Sequence, residues 1–282
     1  MAHDHAPGVV ADAGRFLEQL ASWGRDRADV HAVVLVGSQA RADVPADEFS
    51  DFDVGLVVED VAPYSDSAKW LDVFGDVLLT FVEPAAVGGL LERRALFVSG
   101  LEVDFALVPA RVVGGLSGNP GAAAVLARGY RLLYDELGLA GQFAAAEQGA
   151  PMAADLTQLA HDFWYHALWA AKKLRRGETY VAKQACDCYL KALLVELLGV
   201  DARLREPGLD TWHSGRFLER WATPQDLAEL GETFASYEAA DVARAIKATA
   251  ELFLRMSDRI GLEAVETGEI GRRLDLLLQP FV

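Results

Sequence analysis

The sequence predicts an α+β protein in two parts: a mixed sheet with flanking helices over residues 1–145, then an all-helical portion over 146–282. Three observations carry this. Apolar runs rich in β-branched residues (HAVVLV, FDVGLVV, VLLTFV and LEVDFALVP) all fall before residue 110. From Asp155 onward, apolar residues recur at three- and four-residue spacing, in segments parted by Gly or Pro. Between the two patterns, Gly138 to Pro151 is a run of small residues suited to a linker.

The elements follow in order. A first helix is expected over Ala11–Trp23, where Phe16, Leu17 and Leu20 share a side. His31–Val36 reads as a buried strand ending at Gly37-Ser38, and a polar loop containing Pro45 leads to a second strand, Phe52–Val58. Trp70–Phe74 reads as a short helix, and Val77–Val82 as a third strand closed by Glu83-Pro84. Leu101–Pro109 is a fourth strand, with Val103, Phe105 and Leu107 on one face and Glu102, Asp104 and Ala106 on the other. GGLSGNPG, from Gly114, reads as a loop, and segments 155–175, 178–198, 224–236 and 237–260 as helices. No internal repeat is present.

Composition narrows the function classes. Hydrophobic residues make up 52% of the 282, too many for a disordered chain. No apolar run approaches the ~18–20 residues that span a bilayer, and MAHDHAPG lacks the basic and apolar regions of a secretory signal. A cytoplasmic protein with no membrane partner is expected, as monomer or homodimer. Lys plus Arg number 26 against 42 Asp plus Glu, a net charge of −16. That balance argues against passive nucleic-acid binding, which needs a basic footprint, and favours a cationic partner. The two cysteines, Cys186 and Cys188, point to different faces of an expected helix and are too few for a zinc site, so both read as reduced thiols.

The chemistry concentrates in LVGSQARADVPADEFSDFDVGLVVED, Leu35 to Asp60. A strand delivers Gly37-Ser38 into a tight turn, and a second strand opens on Asp51 and Asp53. Residues two apart in extended chain point the same way, so the two carboxylates meet and repel unless a cation or proton sits between them. Magnesium suits such a pair, because it takes one or two carboxylates together with substrate phosphates. Asp104 adds a third acid from a separate strand, completing a set suited to metal-assisted phosphoryl transfer. Gly37 lets backbone approach a phosphate, Ser38 offers a hydroxyl, and Arg41 offers a forked donor.

This composite resembles the nucleotidyltransferase superfamily. Within it, GSQARADVPADEFSDFDV, KWLDVFGDVLLTFVEP and LEVDFALVP resemble blocks of the aminoglycoside 6-adenylyltransferase (streptomycin adenylyltransferase) family. DFWYHALWAAKKLRRGETYVAKQ and RFLERW resemble later blocks, so the likeness covers about residues 12–260. Gln39 departs from the arginine usual after the GS, and Asp162 stands where a glutamate is usual.

The resemblance implies transfer of AMP from MgATP to a hydroxyl of streptomycin or a related aminoglycoside, with release of pyrophosphate. It implies that Asp51 and Asp53 hold magnesium and that Asp104 is the third acid, as metal ligand or base, with Glu83 and Glu102, near the acceptor, as runners-up for the base. Ser38 and Arg41 would grip phosphates, and Lys183 resembles a family lysine that reaches the triphosphate. A cationic acceptor needs acids, for which the helical part offers Asp155, Asp162, Glu178 and Asp187, and aromatic walls, for which Trp164, Tyr165 and Trp169 stand close in sequence. Other acceptors, a lincosamide-type antibiotic or a protein side chain, keep the same chemistry. A non-catalytic nucleotide-binding module is the remaining reading, against which the three aspartates speak. His161, Asp162 and His166 have the wrong spacing for a metal helix, His3, Asp4 and His5 sit on an end with no expected order, and GGLSGNPG lacks the context of a dinucleotide fingerprint.

Overall fold

The computed structural model describes residues 10–41, 46–85, 89–147, 155–211, 214–262 and 267–281. The readings made for Pro45 and for His3, Asp4 and His5 lie outside them. The chain divides into two compact units, Met1–Met152 and Ala153–Val282. Twelve of the sixteen excess negative charges fall in the first.

The first unit opens with helix α1 (Val10–Arg25) and strand β1 (Val30–Val36), then β2 (Phe52–Val58). A single-turn helix α2 (Ala62–Ser65) and a 3-10 turn over Lys69–Val73 lead to β3 (Val77–Pro84), β4 (Leu91–Phe97) and β5 (Glu102–Pro109). After the single turn α3 (Ala110–Val113) come α4 (Pro120–Leu126), β6 (Arg131–Asp135) and α5 (Ala140–Glu147). The six strands form one sheet in the order β3-β4-β5-β2-β1-β6, mixed because β2 and β5 run parallel while their neighbours are antiparallel.

Side-chain alternation gives the sheet two faces. On one, Val33, Leu35, Val54, Leu56, Phe105 and Leu107 pack beneath Phe16 and Leu20 of α1, with Trp70 edge-on to Phe105 at 4.8 Å. On the other, Ala32, Val34, Val57 and Val108 pack with Leu126, Leu139 and Phe143. The aspartates Asp53 and Asp104 share the parity of this second face.

Two strands were not foreseen. In β4 the inward-facing Arg93 replaces an apolar residue: it is buried, donates to Tyr64 O at 2.8 Å and Thr80 Oγ1 at 3.1 Å, and so breaks the hydrophobic alternation of LERRALF. β6 is a short edge strand. The expected loop GGLSGNPG instead starts a helix: Asn119 caps α4 by accepting from the N–H groups of Gly121 and Ala122. The small-residue stretch read as a linker is helical over Ala140–Glu147, so the expected boundary at 145/146 falls inside α5.

The second unit is helical. α6 (Leu156–Arg175) is N-capped by Asp155, which accepts from Gln158 N at 3.0 Å. α7 (Thr179–Gln184) runs through a π-helical turn, Ala185–Leu190, into α8 (Lys191–Arg205). The short α9 (Leu218–Trp221) precedes α10 (Pro224–Glu232), α11 (Ala239–Arg259) and α12 (Thr267–Leu278). Val242, Ile246, Thr249, Phe253 and Met256 form the buried stripe of α11. Phe253 stacks face to face on Phe163 of α6 at 3.7 Å. Buried Asp201 and Asp226 are both bonded by Arg259, at 2.8 Å each, with Arg205 as a second partner to the first at 2.9 Å and Arg255 to the second at 3.3 Å. Cys186 is buried and Cys188 exposed, both free thiols. No helix among the described residues is long and apolar enough to cross a membrane.

One pairing in the first unit sets a pH dependence. His31, entering β1, meets Glu136 through Nδ1 at 2.6 Å and Glu59 through Nε2 at 3.0 Å. The hydrogen bond with Glu136 raises the imidazole pKa, aided by Glu59 and opposed by partial burial. A folded pKa above the unfolded value of about 6.5 gives stability that is complete below that pH and lost as pH rises through the folded value. Relative to His31→Gln, the melting temperature of the unaltered protein should therefore fall as pH rises above about 6.5. Parallel melting curves for the two proteins would refute the pairing.

Candidate active site

Register brings the aspartates together. β1 ends with Val36 opposite Asp53, Asp53 lies opposite Asp104 on the parallel β5, and Asp104 lies opposite Arg94 on β4. One row across four strands thus holds two carboxylates and a guanidinium. Asp51 stands just before β2, and carboxylate oxygens of Asp51, Asp53 and Asp104 all lie within 4.8 Å of one another. The next row carries Gly55 and Ala106, small residues that leave space in front of the acids.

The turn after β1 is shaped to this cluster. Gly37 has φ +66°, and a Cβ built on it would lie 1.8 Å from Asp53 Oδ2. Only glycine fits there, for conformation and for space. Ser38 is buried, and its Oγ is the one buried side-chain polar atom among the described residues without a hydrogen-bond partner. Such an atom is costly unless a ligand satisfies it. Arg41 caps the 3-10 turn Gly37–Ala40 in extended conformation and is partly buried. Gly37→Ala should displace Asp53 and reduce turnover by roughly a hundredfold or more, with about 1–2 kcal/mol of strain from the positive φ. Steady-state rates with a thermal melt check this, and full activity in the variant would refute the close approach.

The electrostatics match a cation site. Burial pushes Asp104 up to about 7, with Glu92, Asp51 and Asp53 adding to the rise and Arg94 opposing it. Burial likewise raises Glu92. Arg94 answers three acids at once: Asp104 at 2.7 Å, Glu92 at 3.0 Å and Glu83 at 2.5 Å. Three crowded oxygen donors, one of them forced toward its neutral form, fit a hard divalent cation.

A model of the family described as "Streptomycin adenylyltransferase" matches residues 13–266. The chain belongs to the streptomycin adenylyltransferase family. That is a family of nucleotidyltransferase enzymes. The aminoglycoside 6-adenylyltransferase of Bacillus subtilis (strain 168) is 22% identical over 218 residues, covering 73% of this chain and 74% of that protein. The Staphylococcus aureus aminoglycoside 6-adenylyltransferase is 20% identical over 266 residues, covering 86% and 89%. The crystal structure of a Bacillus subtilis aminoglycoside 6-adenyltransferase superposes with a TM-score of 0.41 at 15% identity, over 94% of this chain and 97% of that one.

In this streptomycin adenylyltransferase family member, Glu92 and Arg94 are the site residues that sequence reasoning missed. They lie on the unforeseen β4, where the partly buried Glu92, Arg94 and Leu96 alternate with the buried Arg93, Ala95 and Phe97. Glu83 is engaged by Arg94, whereas Glu102 sits exposed at the start of β5, opposite Leu96. The helical-unit candidates separate. Trp164 does not present a wall: it is buried, edge-on to Phe163 and Phe253, because its position on α6 faces the bundle core. Tyr165 and Trp169 stand on the outer side and line a hollow. Asp155 serves as a cap, and Glu178 pairs with Lys173 and Arg176, each at 2.8 Å. Lys183 donates to Asp187 and to the Ala235 carbonyl, and Asp187 also receives Lys191 at 3.2 Å. Asp162 bonds His166 and Tyr189.

Proposed function

We propose that this protein is an aminoglycoside O-adenylyltransferase that moves AMP from MgATP to a hydroxyl of streptomycin or a close relative and releases pyrophosphate in the cytoplasm. The observation that carries this reading is the convergence of Asp51, Asp53 and Asp104 beside an unpartnered Ser38 hydroxyl. The names of its relatives support the acceptor class.

Asp51, Asp53 and Asp104 would hold magnesium, which when bound neutralises phosphate charge. Gly37 lets the backbone approach a phosphate, Ser38 Oγ–H donates to one of its oxygens, and Arg41 adds a forked donor. Arg94 engages Asp104 and Glu83 alike and Glu102 is exposed, so Asp104 is favoured as proton acceptor because it stands within the carboxylate cluster. As ligand or as base Asp104 works ionised, so kcat/KM should rise with pH through about 7 at low magnesium. Raising magnesium should move that limb to lower pH, because a bound cation favours the carboxylate. A limb indifferent to magnesium would separate Asp104 from the cation. The acidic excess of the first unit suits attraction of a polycation.

The test is pyrophosphate release from MgATP with and without streptomycin. Release only with an aminoglycoside is expected, and none across an aminoglycoside panel would sink the acceptor assignment. Turnover with a lincosamide or a protein hydroxyl would keep the chemistry and change the substrate. Tight MgATP binding without turnover on any acceptor would make the protein a nucleotide-binding module.

A further inference from the structure

We propose that Arg94 is a built-in counter-cation of the aspartate cluster, which keeps the empty site from holding a divalent cation tightly until substrate phosphates arrive. This role rests on the reading of Asp51, Asp53 and Asp104 as a metal site, and it adds an order of loading that the three acids alone would not impose.

The placement of Arg94 comes from β4. Its two consecutive arginines point to opposite faces of the sheet. Arg93 is buried and donates to the Tyr64 and Ser65 carbonyls and to Thr80 Oγ1. Those bonds fix which side of β4 faces inward, so Arg94 is turned to the aspartate side, opposite Asp104.

The two arginines differ in their partners. Arg93 is tied to backbone and a hydroxyl, whereas Arg94 bonds only carboxylates among the described residues. Nη1 meets Asp104, Nη2 meets Glu92 and Nε meets Glu83, so each nitrogen of the guanidinium lies on a separate acid. Glu83 and Glu92 are themselves register partners on β3 and β4, and like charges so placed repel unless a cation stands between them.

Exposure shows which partner can leave. The side chains of Asp104 and Glu92 are 12% and 15% exposed, that of Arg94 43%. Strand register holds the acids, while the guanidinium lies at the solvent edge on a long flexible stem.

A positive charge in contact with an oxygen of Asp104 weakens the field that a second cation feels at the cluster. A triphosphate supplies the negative charge that Arg94 offsets. With Arg94 present, the acids therefore favour a cation that comes with phosphates over a bare one. They also release it more readily when pyrophosphate departs. Two other roles for Arg94 predict different behaviour. A phosphate ligand would lose nucleotide affinity on substitution, and a mere structural tie for Asp104 would lose cation affinity.

The test titrates Mn²⁺, a paramagnetic substitute for magnesium that carboxylates also suit, into the full-length protein without nucleotide. Free and bound Mn²⁺ are read by electron paramagnetic resonance in wild type, Arg94→Gln, Arg94→Lys, Asp53→Asn and the Asp53→Asn/Arg94→Gln pair. Arg94→Gln should bind Mn²⁺ roughly tenfold or more tighter than wild type. Arg94→Lys, which keeps the charge, should stay within about threefold of wild type. Asp53→Asn should remove the binding gained in Arg94→Gln, and ATP affinity in the presence of a chelator should be the same in Arg94→Gln and wild type. Should Arg94→Gln melt too low to titrate, Glu83→Gln/Arg94→Gln, which also removes the acid two strands from Asp104, carries the same expectation.

Mn²⁺ bound no more tightly by Arg94→Gln, at a site that still depends on Asp53, would overturn the inference and leave the metal-site reading intact. Arg94→Lys binding as tightly as Arg94→Gln would overturn it too, since charge would then not be what holds affinity down. Loss of ATP affinity in Arg94→Gln would make Arg94 a phosphate ligand instead. No Mn²⁺ binding that depends on Asp53, in wild type or in Arg94→Gln, would sink both the metal site and the inference.

Discussion

Asp53→Asn and Asp104→Asn should each abolish AMP transfer, by on the order of a thousandfold or more, while the fold persists. Loss of a carboxylate from a site that must neutralise phosphate charge forfeits several kcal/mol, and each ~1.4 kcal/mol is a factor of ten in rate. In Asp104→Asn the fold should persist because Asp104, once ionised, destabilises the folded chain on its own. Asp104 has a folded pKa of about 7, above the unfolded value, so the folded state binds the extra proton between those values. Stability from this group is therefore complete below the unfolded pKa and lost as pH rises through about 7. At pH 8 without magnesium, Asp104→Asn should melt at or above the wild-type temperature. Added magnesium should raise the wild-type melting temperature and leave that variant unmoved. Pyrophosphate release and a melting series with magnesium measure both effects. Retained turnover in either variant would remove the carboxylate cluster from the mechanism.

The largest effect on stability is expected from Phe163→Ala, about 3–5 kcal/mol. Phe163 is fully buried and stacks on Phe253 at 3.7 Å with an interplanar angle of 5°, tying α6 to α11. Truncation removes that contact and opens a cavity between two long helices that can close only by moving both. The same stack supports Trp164 edge-on, so a third ring loses its neighbour. With two units in the chain, the helical transition should shift to lower denaturant while the transition of the first unit stays in place. A shift worth less than about 1 kcal/mol would mean that the α6–α11 contact relaxes far more freely than a packed core allows.

The legible part of this protein was periodic or locally unusual. Apolar runs rich in β-branched residues revealed β1, β2 and β3, alternation revealed β5, and apolar residues at three- and four-residue spacing revealed α6, the α7–α8 run, α10 and α11. Where a buried polar side chain interrupts the pattern, the reading failed: Arg93 points inward in β4, and its hydrogen bonds to Tyr64, Ser65 and Thr80 have no counterpart in local sequence. Losing β4 meant losing Glu92 and Arg94. Trp164 was misread for a related reason. Trp164, Tyr165 and Trp169 look alike as a string, yet the phase of α6 sends the first into the core and the other two outward.

By itself the sequence determined the two-part α+β organisation, the Gly37-Ser38 turn, the three aspartates and the family. These follow from local chemistry: which residues tolerate a positive φ, which alternate along a strand, which acids stand two apart. Tertiary structure alone decided that Asp53 and Asp104 are register partners on parallel strands, that Arg94 sits opposite Asp104, and that Asp162 is held by His166 and Tyr189 while Glu178 and Asp187 pair with cations. Those facts depend on strand order, helix phase and a π turn. Each is set by the free energy of packing the whole unit, and no window of sequence contains it.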